Sequence, residues 1–173
     1  ISSANATCDL CNGSAATSVS GGNGNYSFHW GPGQTTATVN AGLCAGNNEL
    51  TMTDDTGCSL VQSILIINES GPVIDSINVV PPMCNGGTTG TASVFASGGT
   101  VLGAYDYLWG ANTGGQTSQT AVSLTDGFYC VTVSDGNNCE VTSCTEISEP
   151  SILEAIAQND TTVCFGQEAT IWG

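Results

Sequence analysis

Apolar side chains recur at every second position over several short stretches. Tyr26, Phe28 and Trp30 alternate with Ser27 and His29, and Tyr105, Tyr107 and Trp109 repeat the pattern. Leu50 and Met52, then Val131 and Val133, alternate with polar neighbours. A period of two is that of a strand with one face in a core. Val61 to Ile67 is a denser apolar run and is expected to be a central strand. No long 3.6-residue period appears, and glycine interrupts every candidate helix. Short alternating strands with turns about every 8–12 residues predict an all-β fold of immunoglobulin-like sandwich type.

The pattern occurs twice. Cys11-Asn12-Gly13 matches Cys84-Asn85-Gly86, and Ser20-Gly21-Gly22 matches Ser97-Gly98-Gly99. Gly33-Gln34-Thr35 matches Gly115-Gln116-Thr117, and Gly46 to Cys58 matches Gly127 to Cys139 without a gap. Two tandem β-sandwich modules are therefore expected, over residues 1–71 and 72–150, with residues 151–173 as a linker and the opening strands of a third. Thr161 to Gly166 reads as that opening, and Pro72 and Pro150 mark the joints. A module of this size has a small core, so covalent staples are expected.

The repeat suggests how nine cysteines pair. Cys11 and Cys58 align with Cys84 and Cys139, giving Cys11–Cys58 and Cys84–Cys139. Cys130 and Cys144 stand where the first module has Glu49 and Ser63, so their joint appearance suggests a Cys130–Cys144 bridge across a hairpin. Cys8 and Cys44 stand opposite Pro81 and Thr125 and are paired by the same logic. The arrangement Cys11–Cys44 with Cys8–Cys58 stays open as a rival. Cys164 is left for a partner outside this segment or on another chain.

Composition narrows the function. Lysine and arginine are absent, Asp plus Glu number 15, and the formal net charge is −15. Nucleic acid and anionic membrane surfaces need cations that this chain lacks, and phosphate chemistry normally uses them. Hydrophobic residues at 40% with mean hydropathy +0.10 set the chain apart from disordered sequences. Nine cysteines point to an oxidising, extracellular compartment. Structural zinc is disfavoured, because Cys8-x2-Cys11 has no second pair and His29 is the only histidine. No apolar run is long enough to cross a membrane as a helix.

The ordered run of Cys-Asn-Gly, Ser-Gly-Gly, Tyr-x-aromatic-x-Trp, Gly-Gln-Thr and Asp-x-x-Gly-Cys or Asp-Gly-Asn-Asn-Cys resembles the SprB-repeat family. The resemblance covers about Cys8 to Glu69 and Pro81 to Pro150, and Ile147-Ser148-Glu149-Pro150 is similar to the family's ending. The first module departs from it by lacking the immediate proline after Glu69, and by Asn47-Asn48 in place of Phe128-Tyr129. The start of the third module also resembles PKD or immunoglobulin-like domains. The resemblance implies tandem β-sandwich modules of large Bacteroidota cell-surface proteins, secretion by the type IX route, and a structural or adhesive role.

Candidate chemistry is sparse. His29 falls on the outward phase of its strand and has no triad around it. Asp54, Asp55 and Asp135 are weak calcium candidates in equivalent turns, although turn chemistry alone explains them. Asn5, Asn12, Asn25, Asn68 and Asn159 open Asn-x-Ser/Thr motifs. Ser76 and Thr161 fit an O-glycan acceptor pattern, Asp-Ser/Thr followed by an apolar residue or Thr, at the expected joints. The aromatic strands are expected in the core rather than as a carbohydrate platform. The expected protein is thus a non-enzymatic stalk or filament subunit without cofactor, partnered by copies of itself, further modules of its chain or surface polysaccharide. Carbohydrate-binding and calcium-dependent adhesion modules are the alternatives. In a polymer, the strand-like pieces Ile152–Ala157 and Ala169–Trp172 are expected to insert into a neighbour's sheet.

Overall fold

The computed structural model describes residues 1–31 and 38–154. Thr161, Asn159, Cys164, the third module and Ala169–Trp172 lie outside these residues.

The chain is all-β. In the first module a three-stranded sheet has the order β1 (Ser2–Ala4), β3 (Gly13–Ala16), β5 (Val39–Leu43). It faces a second sheet of β4 (Tyr26–Trp30), β6 (Gly46–Asp54) and β7 (Ser59–Ile66). The second module repeats the plan. Here β9 (Pro72–Val80), β10 (Gly90–Gly98) and β12 (Thr120–Leu124) form one sheet, with β10 central. The other is β11 (Asp106–Trp109), β13 (Gly127–Ser134) and β14 (Glu140–Ile147), with β13 central. All these pairings are antiparallel. A short parallel pair, β2 (Ala6–Thr7) with β8 (Asn68–Glu69), closes the end of the first module.

Each module has its own core. The first is built on Trp30, Leu43, Leu50, Met52 and Ile66, the second on Val94, Trp109, Leu124, Val131, Val133 and Ile147. Phe28, Trp30 and Trp109 are buried and His29 is exposed, as strand alternation predicts. The Trp109 indole N–H donates to the Ser118 carbonyl at 2.9 Å, which satisfies its one polar atom inside the core.

Val61 to Ile67 corrects the expectation of a central strand. It forms most of β7, which among the described residues pairs only with β6 and lies at an edge. Leu60, Val61, Leu65 and Ile67 are 56–62% exposed, and only Ile64 and Ile66 turn inward. A continuous apolar run reads the same whether both faces are covered or one is left open.

Register fixes the direction of each module. Gly46 pairs with Ile66 at one end of β6, and Thr53 pairs with Ser59 at the other. Gly127↔Ile147 and Ser134↔Glu140 repeat this in β13. We call the end with the Asp54–Cys58 or Asp135–Cys139 turn the head, and the opposite end the tail. At roughly 3.3 Å per residue, nine-residue β6 separates them by about 30 Å.

Candidate functional site

The most highly organised polar region is the joint between the tail of the first module and the head of the second. It begins with the turn Asp135–Cys139. The Asp135 carboxylate is 3% exposed, yet three backbone N–H groups surround it. Asn137 and Cys139 donate to Oδ1, both at 2.9 Å, and Thr100 donates to Oδ2 at 2.8 Å. Burial pushes this carboxyl up, but the N–H groups of Thr100, Cys139 and Asn137 outweigh it and hold it below its usual 3.8.

From this turn Asn137 reaches across the joint. Its side-chain N–H donates to Glu69 Oε2 at 2.9 Å and to Thr100 Oγ1 at 2.9 Å. The other Glu69 oxygen accepts from Asn5 at 2.8 Å. The bonds from Asn5 and Asn137 hold Glu69 below its usual 4.5. The Cys8 N–H donates to the Glu69 carbonyl at 3.0 Å, placing Cys8 on the same tail. Cys8 and Cys139 are then joined by a disulfide, 131 residues apart in sequence. A Cβ on Gly71 would lie 2.8 Å from that of Cys139, so only glycine lets the backbone pass here. In a chain without lysine or arginine, amide and backbone N–H groups do the work that cations usually do for carboxylates.

The cysteine pairing expected from the sequence is therefore corrected. Cys11 bonds Cys44, not Cys58. Cys139 bonds Cys8, so neither Cys84–Cys139 nor Cys8–Cys44 forms. Cys58 and Cys84 are free and exposed. Cys130 bonds Cys144 at facing positions of β13 and β14. The reason lies in strand register. Gly13 pairs with Leu43, and Gly90 pairs with Leu124, so Gly90 is the structural counterpart of Gly13, not Gly86. Ala15 and Ala92, both buried, follow in the same register. That shift carries Cys84 away from Cys11 and brings it beside the position of Cys8.

Two loops confirm the equivalence. Asn85 donates to Glu149 at 2.6 Å, and the Gly86 N–H donates to the same carboxylate at 2.6 Å. The tail glutamate of the second module is thus held by the Cys84 loop, as Glu69 is held by residues around Cys8. The sequence marked Asn5 only as the start of an Asn-x-Ser/Thr motif and Glu69 and Gly71 only as lying near a module boundary; it did not show that they meet Asn137 at one joint. The recurrence of Glu69 and Glu149 at equivalent places was the available signal.

The remaining candidates sit as follows. Asp54 Oδ1 accepts from Thr56 Oγ1 at 2.7 Å, from the Thr56 N–H at 2.9 Å and from the Cys58 N–H at 3.0 Å; Oδ2 accepts from the Asn23 N–H at 3.1 Å. Asp55 Oδ2 accepts two bonds from Asn25. Asp54 and Asp135 thus serve as turn acceptors, and among the described residues no group of three or more His, Cys, Asp or Glu is arranged to hold a metal ion. Ser76 is exposed, but it lies inside β9 opposite Phe95 rather than in a linker. The amides of Asn5, Asn25 and Asn68 each donate to a carboxylate, of Glu69, Asp55 and Asp9 respectively.

No curated protein matches the chain. The family model of the SprB repeat matches residues 76–116. That stretch begins inside β9, ahead of Pro81, and takes in the Cys84-Asn85-Gly86, Ser97-Gly98-Gly99, Tyr105–Trp109 and Gly115-Gln116 motifs. Over residues 76–116 this all-β, disulfide-bonded chain is thus similar to the SprB repeat.

Proposed function

We propose that the chain is a non-enzymatic, extracellular rod segment of an adhesive surface structure, in which rigid joints between modules are the functional property. The SprB repeat, a repeat of cell-surface proteins, supports the extracellular and adhesion-related part of this reading. The observation that carries the rod is the joint itself. A disulfide, a shared carboxylate and a backbone approach at a glycine all cross the same small contact. Modules that served only as independent binding units would need none of these, since neighbouring domains move freely unless something holds them.

The aromatic side chains favour the same reading over a carbohydrate platform. Phe28, Trp30 and Trp109 are at most 9% exposed and are spent on the cores. Small-angle scattering of the whole chain tests the rod. The native chain is expected to give one narrow maximum dimension, and Cys8→Ser combined with Glu69→Ala a shorter mean and a broad distribution. Equal profiles for the two would remove the rod reading.

A further inference from the structure

Asn-Gly occurs three times, at Asn12-Gly13, Asn23-Gly24 and Asn85-Gly86. The pair has a chemistry of its own. The glycine nitrogen can attack the amide carbon of the asparagine side chain, because no Cβ on the glycine crowds the five-membered ring that forms. Closure needs an asparagine amide that is free to turn and a glycine N–H without a partner. A hydrogen bond on either group must be broken first.

The fold meets these needs at one place of the three. The Asn12 amide is held at both ends by Thr7: its Oδ1 accepts the Thr7 N–H at 2.7 Å and its Nδ2 donates to Thr7 Oγ1 at 2.8 Å. Gly13 is buried in β3. Asn85 donates to Glu149 Oε1 at 2.6 Å and to the Pro150 carbonyl at 3.2 Å, and the Gly86 N–H donates to Glu149 Oε2 at 2.6 Å. One carboxylate therefore holds both groups that would react. Asn23 and Gly24 are exposed, and among the described residues neither the Asn23 side chain nor the Gly24 N–H has a hydrogen-bond partner. The Asn23 main chain, by contrast, is fixed. Its N–H donates to Asp54 Oδ2 at 3.1 Å, and its carbonyl accepts from the Asp55 N–H at 3.3 Å.

The second module shows the same place without this chemistry. In the register set by Gly13 and Gly90, Asn23 falls on Thr100 and Gly24 on Val101. The Thr100 N–H donates to Asp135 Oδ2 at 2.8 Å, and its carbonyl accepts from the Gly136 N–H at 2.8 Å. Both heads thus use the same two main-chain bonds, and threonine serves them as well as asparagine. Nothing in the head turn itself calls for Asn-Gly.

We propose that Asn23-Gly24 is a self-modifying site, which converts with water alone to aspartate and isoaspartate and so loosens the head of the first module while the second head stays intact. The Gly24 nitrogen attacks Asn23 Cγ, the Cγ–Nδ2 bond breaks, and ammonia leaves with the proton from the Gly24 nitrogen. Water then opens the cyclic imide. Attack at Cγ gives aspartate, and attack at the main-chain carbonyl carbon gives isoaspartate. Either product adds a carboxylate to a loop that already lies on Asp54 and Asp55, and like charges repel. Isoaspartate also lengthens the main chain by one carbon next to the N–H that holds Asp54. The inference goes beyond the rod reading and does not depend on it.

The test ages the full chain in mildly alkaline buffer, which favours loss of the Gly24 N–H proton, and maps the peptides by mass spectrometry. Chymotrypsin makes the peptides, since the chain has no lysine or arginine for trypsin. Electron-transfer fragmentation tells aspartate from isoaspartate. Conversion at Asn23 is expected to be about tenfold or more faster than at Asn12 and Asn85. In the reduced chain unfolded in urea, the three should convert at similar rates. Glu149→Ala should raise conversion at Asn85 severalfold and leave Asn23 unaffected. Conversion at Asn12 or Asn85 as fast as at Asn23 in the folded chain, or none at Asn23, would overturn the proposal. Asn23→Thr, which copies the second head, separates this modification from other ageing. Hydrogen exchange in the Asp54–Cys58 turn should quicken with age in the native chain and stay constant in Asn23→Thr, with the Asp135–Cys139 turn unchanged in both. Unchanged exchange in a converted chain would remove the loosening, and the proposal with it.

Discussion

Asn137 and Glu69 belong to different modules and are bonded at 2.9 Å. Asn137 also stands two residues after Asp135, whose carboxylate shapes the turn that presents it. Two acids on opposite sides of the joint thus fix one residue, Glu69 through its side-chain amide and Asp135 through its backbone N–H, and the hydrogen bonds to each carboxylate favour its ionised form.

That arrangement sets a pH dependence. Glu69 is lowered from 4.5 by the bonds from Asn5 and Asn137. Asp54 is lowered from 3.8 by the Thr56 hydroxyl first and then by the N–H of Asn23, and Asp135 is lowered despite its burial. A depressed folded value means the group stabilises fully above its unfolded value and loses that contribution as pH falls through the folded one. The melting temperature should be flat down to about pH 5 and fall below about pH 4. Glu69→Gln should leave the flat part in place and make the fall shallower, read by circular dichroism across the pH series.

Glycines at the two heads should respond differently to alanine. Gly99 has φ +67° and its added Cβ would lie 2.6 Å from Asp135 Oδ2 and 3.0 Å from the Pro72 nitrogen. Gly22 has φ +69° but its nearest neighbour is Asp54 Oδ2 at 3.1 Å. Both substitutions carry the cost of a left-handed backbone, and Gly99→Ala adds about 1–2 kcal/mol for the clash at the joint. Denaturant titration of the two variants side by side measures the difference.

Asp135→Ala leaves three N–H groups at a largely buried turn without their acceptor. The expected loss is roughly 2–3 kcal/mol. Asp135→Asn retains one acceptor oxygen and should lose less. Urea titration compares them, and equal losses would mean that the charge rather than the acceptor geometry holds the turn.

The three bridges should separate by what they close. Cys130–Cys144 spans 14 residues inside one module, so replacing both with serine should cost about 3 kcal/mol in that module. Cys8–Cys139 closes across two cores. Cys8→Ser is expected to leave both melting transitions near their native positions and to loosen only the joint, which scattering detects and calorimetry does not.

Much of the fold was legible in the chain. Strand alternation placed Trp30, Trp109, Leu50 and Val131 in the cores, because burial of one face imposes a period of two. The paired absence of Cys130 and Cys144 from the first module pointed to partners that do face each other. The joint was harder to read. Cys-Asn-Gly recurs as a string, but strand pairing equates Gly13 with Gly90, and a shift of that size moves Cys84 from the place of Cys11 to that of Thr7, beside Cys8. With Gly90 as the anchor, the same reasoning from joint gain gives Cys11–Cys44. The edge position of β7 was hidden as well, since its apolar run says nothing about which face has a neighbour.

β9 is both the connection out of the first module and an edge strand of the second. Tension along the chain enters the second module at Pro72, at the head, and leaves after Ile147, at the tail. β9 and β14 both run head to tail and lie against each other. The hydrogen bonds from β9 to β10 lie across the direction of pull. A stretched chain therefore loads the whole β9–β10 ladder in shear, all bonds together, instead of unzipping it one bond at a time. The Cys8–Cys139 bridge adds a covalent path beside the backbone at the point where that force crosses from one module to the next.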